Sequence, residues 1–276
     1  MKNCRFVYFF AVIFMLVACE KGEKHVSPEP EKPFDPAYQL VWSDEFNYSG
    51  LPDASKWSYD VGGNGWGNGE AQYYTNARLK NAEVKNGFLH ITAIKEDFEA
   101  KNYTSARLVT RTKGDWLYGK IEVRAKLPEG TGMWPAIWML PTSGTYGGWP
   151  ASGEIDIMEN LGYLPYFIVA TAQTKLYNHE QGTHKQTATA ILDCYTEFHS
   201  YILEWESHEI RMYVDSKLYF TFRNEGTGFQ VWPFDQQFHL LLNVTVGGTF
   251  GGAMGIDDRI FPRSMLVDFV RVYQKK

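Results

Sequence analysis

Cysteine is scarce in this chain. Cys4, Cys19 and Cys194 are the only three in 276 residues, so neither a disulfide framework nor a cysteine-built metal cluster is available. Charge is sparse too: Lys, Arg, Asp and Glu make up 21% of the chain, and 27 basic side chains face 32 acidic ones with no basic run among them. Phosphate binding needs clustered Lys and Arg, which argues against nucleic acid as a partner. No apolar run approaches the ~20 residues of a membrane-spanning helix. There is no internal repeat, and beyond residue 38 no stretch keeps a helical period for three turns. A coiled coil, a helical bundle and a disordered tail are therefore set aside.

Aromatic side chains are what the sequence has in excess: 9 Trp, 17 Tyr and 18 Phe, set among 25 Gly and 12 Pro. That mixture describes a loop-rich globular protein with many flat side chains to place.

The N-terminus reads as an address. Lys2 and Arg5 precede the unbroken apolar run Phe6 to Val17, too short to span a bilayer and typical of a signal peptide. The run ends in Leu16-Val17-Ala18-Cys19, which resembles the lipobox of bacterial lipoproteins. Residues 1–18 are thus expected to be removed and Cys19 lipidated, placing the protein in the bacterial cell envelope, at the outer membrane, on its surface or periplasmic face. Residues 19–37 carry Pro28, Pro30, Pro33 and Pro36 among Glu and Lys and read as an extended tether. With Cys19 acylated, Cys194 is expected to be a buried small apolar residue.

From residue 38 to 276 the pattern has period two. Phe88 to Ile94 is strand-like, and Lys120 to Lys126 alternates cleanly until Pro128. Ile210 to Val214 and Leu218 to Phe222, joined through Asp215-Ser216-Lys217, read as a hairpin. Further strands are expected at Phe238 to Val246 and Leu266 to Tyr273. Strands at near-regular spacing with Gly-rich loops predict an all-β, two-sheet antiparallel sandwich of jelly-roll type, a single domain over 38–276.

The chemistry is concentrated in Glu154-Ile155-Asp156-Ile157-Met158-Glu159. In a regular strand Glu154 and Asp156 share a face and Glu159 points to the other. A β-bulge near Ile157-Met158 returns Glu159 to that face. The two glutamates are then ~13 Å apart at Cα by strand rise, and leaning inward brings their carboxyl groups to roughly 5–6 Å, the spacing of a retaining glycosidase. One carboxylate must be ionised to attack the anomeric carbon while its partner holds a proton for the leaving oxygen. Three acids so close cannot all ionise cheaply, so at least one pKa rises. A solvated acidic face and a calcium site are the competing readings of the same residues.

This run resembles the signature of glycoside hydrolase family 16, in the bulged form of its laminarinase-like (endo-β-1,3-glucanase) branch. The resemblance extends over Leu40 to Phe46, Asn64 to Thr75, Gly132 to Pro141 and Val267 to Tyr273, and so covers residues 40 to 273. It implies a jelly roll with a cleft on its concave face, with Glu154 as nucleophile, Asp156 as assistant and Glu159 as acid/base. It implies a β-glucan polysaccharide as partner and no catalytic cofactor; a monomer is expected, held to the membrane by the lipid on Cys19. Asn64, Glu70, Arg124, Trp149 and Asn243 match cleft positions of the family. Trp66, Trp134 and Trp138 supply flat faces for sugar rings, with a core role equally open for one of Trp134 and Trp138; Gln173 stands where relatives often carry His, and Phe250 where many have Trp. Some relatives hold a structural calcium away from the cleft, for which Glu45, Gly87 and Asp268 are the matching positions. Two alternatives stay open: the same fold acting on mixed-linkage β-1,3/1,4-glucan or a galactan, and a non-catalytic surface glycan-binding protein.

Overall fold

The computed structural model describes residues 37–276. The signal segment, Cys19 and the tether up to residue 36 lie outside the described residues. The strands run β1 (Tyr38–Asp44), β2 (Ser58–Tyr59), β3 (Gln72–Tyr74), β4 (Ala82–Lys85), β5 (Phe88–Phe98), β6 (Lys101–Ser105), β7 (Arg107–Val109), β8 (Asp115–Trp116) and β9 (Gly119–Lys126). They continue as β10 (Met133–Pro141), β11 (Glu154–Asn160), β12 (Phe167–Gln173), β13 (Lys185–Ala190), β14 (His199–Trp205), β15 (Glu209–Val214), β16 (Lys217–Arg223), β17 (Phe238–Val246) and β18 (Arg263–Lys275). The one α-helix among the described residues, α1, is the single turn Gly248–Gly251.

Two sheets form a sandwich. The first runs β16-β15-β14-β9-β18-β5-β6-β3, with β1 on β18 and β4 on β5; the second runs β13-β12-β11-β10-β17-β7-β2, with β8 on β17. Every expected strand is present, and the Asp215 hairpin forms with that residue at φ 53°. One pairing departs from the antiparallel expectation: β3 and β6 are parallel over three residues, a register long enough only to fasten the loop that precedes β3.

Alternation decides which side chains meet between the sheets. Along β9, Ile121, Val123 and Ala125 are fully buried while Lys120, Glu122 and Arg124 face outward. On β17, Leu240, Leu242, Val244 and Val246 belong to the core, and Leu241, Asn243 and Thr245 take the opposite face. Much of the aromatic excess lies inside. Trp42 sits edge-on to Trp57 and to Trp116, each at 5.6 Å, and Trp205, Phe222, Trp232, Phe234 and Phe238 form a second chain of ring contacts. Truncating a ring such as Trp57 or Trp205 to Ala would cost about 3–5 kcal/mol. Cys194 is buried in the core, as expected.

Candidate active site

Strand β11 lies in the middle of the second sheet. Glu154, Ile155 and Asp156 pair with Gln173, Ala172 and Thr171 of β12, but the next pair is Glu159 with Val169, so Ile157 and Met158 together face one residue. Against β10 the register likewise passes from Trp138–Asp156 to Ile137–Met158, leaving Ile157 without a partner. This is the bulge the spacing of the acids requires. Ile155, Ile157 and Met158 are all buried in the core, and Glu154, Asp156 and Glu159 emerge together on the face turned away from it.

Each acid has a different set of partners. Gln173 Nε2 donates to Glu154 Oε1 at 3.0 Å, and the Trp149 side chain adds a further hydrogen bond to Glu154. Trp134 Nε1 donates to Glu159 Oε1 at 2.9 Å. Asp156 is 4% exposed, and its Oδ2 has no hydrogen-bond partner among the described residues. Burial pushes both glutamates up to about 7. The Glu159 charge adds to the effect on Glu154, while Arg107, Gln173 and Trp149 oppose it. Asp156 is held well above the usual carboxylate range by burial and then by Glu154 and Glu159. The site therefore keeps protons on carboxyl groups near neutrality, and its most cation-supported member is Glu154.

The neighbouring strands build the rest of the groove. Trp138 Nε1 donates to Asn243 Oδ1 at 2.7 Å, Asn243 Nδ2 donates to Thr245 Oγ1 at 3.0 Å, and the Thr245 hydroxyl bonds the Tyr74 hydroxyl at 2.7 Å. Asn243 inside an apolar strand is thus explained by partners on both sides. Trp66 stands beside this line with φ 51°, its amide tied to Asn64 Oδ1 and its indole N–H to the Gly62 carbonyl. Asn64 itself is exposed and shapes the loop. Glu70 is buried, bonded by Gln72 and Asn68, and bridged through its backbone to Gly247. Phe250 on α1 packs its ring edge-on against Trp134 at 5.6 Å, buttressing the indole that holds Glu159. An open hollow of about 410 Å³ continues beside Glu70, between Asn68, Gly69 and Ala71 on one side and Gly247, Gly248 and Ile256 on the other.

Sequence reasoning missed Arg107. It is 8% exposed, lies over the rings of both Trp66 (4.8 Å) and Trp138 (4.5 Å), and pairs with Asp60 at 3.2 Å. A lone Arg between Ala106 and Leu108-Val109 was the available signal, since a charge on a buried strand needs a specific partner. His179 also belongs to the site. Its backbone N–H and its Nδ1 both reach Gln173 Oε1, at 3.1 and 2.9 Å, and its ring lies 4.8 Å from Trp149. Gln173 therefore spends its amide on Glu154 and His179, so that its NH2 end is fixed towards the acid.

Arg124 does not belong to the groove. It alternates with core residues as the sequence suggested, but β9 lies in the first sheet, and Arg124 points outward there to pair with Asp268 at 2.5 Å over the Phe198 ring. The expected calcium residues do not fit a cation either. Arg271 grips both Glu45 oxygens at 2.9 and 2.8 Å, and Arg124 takes Asp268 Oδ2. Calcium needs six to eight oxygens, and among the described residues no group of three or more His, Cys, Asp or Glu is arranged to hold a metal. Gly87, with φ 82°, serves the turn between β4 and β5.

Comparison with known proteins follows the same lines. The profile of Glycosyl hydrolases family 16 matches residues 68–259. The chain is 53% identical to a β-glucanase of Rhodothermus marinus over 246 residues, covering 87% of this chain and 86% of that one. The laminarinase structure from Rhodothermus marinus superposes with a TM-score of 0.86 at 52% identity, over 87% of this chain and 98% of the other. A non-specific endo-β-1,3(4)-glucanase, SCLam, superposes with a TM-score of 0.84 at 46% identity, covering 90% and 95%. With three acids on one open face of a jelly roll and these relatives, the chain is a glycoside hydrolase and belongs to family 16.

Proposed function

We propose that the protein is a retaining endo-β-1,3-glucanase that hydrolyses internal β-1,3 bonds of laminarin-type glucans by double displacement. The observation that carries this reading is the bulge in β11, which puts two differently supported glutamates on the same exposed face. Glu154 receives N–H donors from Gln173 and Trp149 and the field of Arg107, all of which support its ionised form, and so takes the role of nucleophile. It attacks the anomeric carbon. Glu159, supported by the Trp134 N–H alone, retains its proton and delivers it to the leaving oxygen. Asp156 in its protonated form is a donor beside Glu154 and steadies its charge before attack. Once Glu154 is esterified its charge is gone; Glu159, ionised by giving up its proton, takes a proton from water as the water oxygen attacks the anomeric carbon, and the bond from that carbon to Glu154 breaks to release Glu154 as a carboxylate.

The flat indoles of Trp66, Trp138 and Trp149 and the amide of Asn243 suit an uncharged sugar polymer, and the groove is open to a chain passing through it. The β-1,3(4) breadth of SCLam favours mixed-linkage glucan as a second substrate. The proposal includes acylation at Cys19, an outer-membrane location and a monomeric state, which fatty-acid labelling, membrane fractionation and light scattering would test. The deciding experiment follows laminarin hydrolysis by NMR. The β-anomer is expected first, and early α-anomer would refute retention. Glu154→Ala and Glu159→Ala should each nearly abolish cleavage in folded protein, and retention of most activity by either would remove that residue from the chemistry.

A further inference from the structure

A bulge must be held, because its extra residue has left the hydrogen-bond ladder on both sides. Ile157 is that residue in β11, and its carbonyl lies in the fully buried layer between the sheets. The group that meets it comes from the opposite sheet. Tyr219 of β16 donates its hydroxyl to the Ile157 carbonyl. Tyr219 is itself an extra residue: β16 pairs Phe220 with Met212 and Leu218 with Tyr213, so the register passes over Tyr219. That irregularity makes Tyr219 and Phe220 consecutive buried residues, Tyr219 at 9% exposure. One sheet's irregularity thus reaches across the core to fasten the other's.

From this geometry we infer that Tyr219 is a positioning residue for hydrolysis: by holding the Ile157 carbonyl it fixes the bulge and, through it, the placement of Glu159 relative to Glu154. Only Met158 separates the residue with the anchored carbonyl from Glu159. The far end of that side chain is fixed independently by Trp134. Releasing the near end leaves the indole contact but frees the backbone to slide, and a displacement of about 1 Å at a reacting group costs on the order of 100-fold. The phenol stays protonated beside Asp156 and Glu159, so it acts only as a donor here.

The inference rests on Glu159 being the acid/base, and the test separates the two. Tyr219→Phe keeps the ring in the core and removes only the donor. Tyr201→Phe is the matched control, since Tyr201 is equally a core tyrosine and its hydroxyl has no hydrogen-bond partner among the described residues. Both are assayed well below their melting temperatures on a laminari-oligosaccharide and on its 2,4-dinitrophenyl glycoside, whose leaving group needs no proton. For Tyr219→Phe, kcat/KM is expected to fall about 10- to 100-fold on the oligosaccharide and to stay within about threefold on the activated glycoside. Tyr201→Phe should match the wild type on both. Wild-type kcat/KM in Tyr219→Phe on the oligosaccharide would overturn the assignment, as would an equal loss on both substrates, which marks general loosening of the fold. If the wild type cleaves neither substrate, it is the proposed function that fails.

Discussion

Glu159→Gln should stabilise the fold in a pH-dependent way while removing activity. The Glu159 carboxyl titrates near 7 in the folded chain against 4.5 for its ordinary value. Because the folded value is raised, the folded state binds the proton more tightly. The associated stability is complete below about pH 4.5 and is lost as pH rises through about 7. At 1.36 kcal/mol per unit the full difference approaches ~3 kcal/mol, and partial access of water through the groove reduces it to about 2 kcal/mol. Gln cannot ionise, and its amide oxygen can still accept the Trp134 N–H. Glu159→Gln is therefore expected to gain about 2 kcal/mol over the wild type at pH 8.5, or ~4–8 °C in Tm for a domain of this size, and to show no gain near pH 4. Urea unfolding at several pH values between these limits measures it. An advantage that is the same at both ends, or a loss at high pH, would refute the claim that an ionised Glu159 burdens the folded state.

Three further outcomes follow from the same geometry. Gln173→Leu removes a donor from Glu154 without touching the core, so the acidic limb of the kcat/KM profile should move up by about one pH unit; an unmoved limb would show that this hydrogen bond does not support the charge. Arg107→Met should shift that limb in the same direction and also destabilise the protein by about 2–3 kcal/mol, because Asp60 keeps only the more exposed Arg111 as a partner; calorimetry and a pH-rate series check the two parts. His239, buried against Arg111 and Arg107, has its pKa pushed down to about 3. Its stabilising contribution is present above its unfolded value of about 6.5 and is lost as pH falls towards 3, so His239→Gln should flatten the acid side of the stability curve, and an unchanged curve would contradict this.

Strands and their inward faces were legible in the sequence because period-two alternation is a local property: β9, β15, β16, β17 and β18 can each be read from their own residues. The bulge was legible for a chemical reason, since Glu159 at that spacing makes sense beside Glu154 only if one residue is absorbed. Arg124 shows the limit of this kind of reading. Alternation correctly turned it away from Ile121 and Val123, but only the order of strands decides which sheet, and so which outer face, β9 supplies. Arg107 and Tyr219 stayed hidden because each acts through a partner far along the chain, and His179 because its link to Glu154 runs through Gln173 and not by direct contact. Nothing local distinguishes a tyrosine that packs from one that bonds a carbonyl 62 residues away. Glu45 and Asp268 likewise met arginines that no spacing rule would have paired with them.

The extra residue in β11 also bears on how such a sequence can change length. Loss of a single codon for Ile157 or Met158 would leave Glu-Ile-Asp-apolar-Glu, in which strict alternation alone keeps all three acids on one side. The active face would survive that deletion, and the stray carbonyl would return to the ladder. The hydroxyl at position 219 would then have nothing to hold, and phenylalanine there would become neutral. Among descendants of a common ancestor, the spacing of the acids and the residue at the position equivalent to 219 should therefore change together, in two genetic steps, with the deletion coming first.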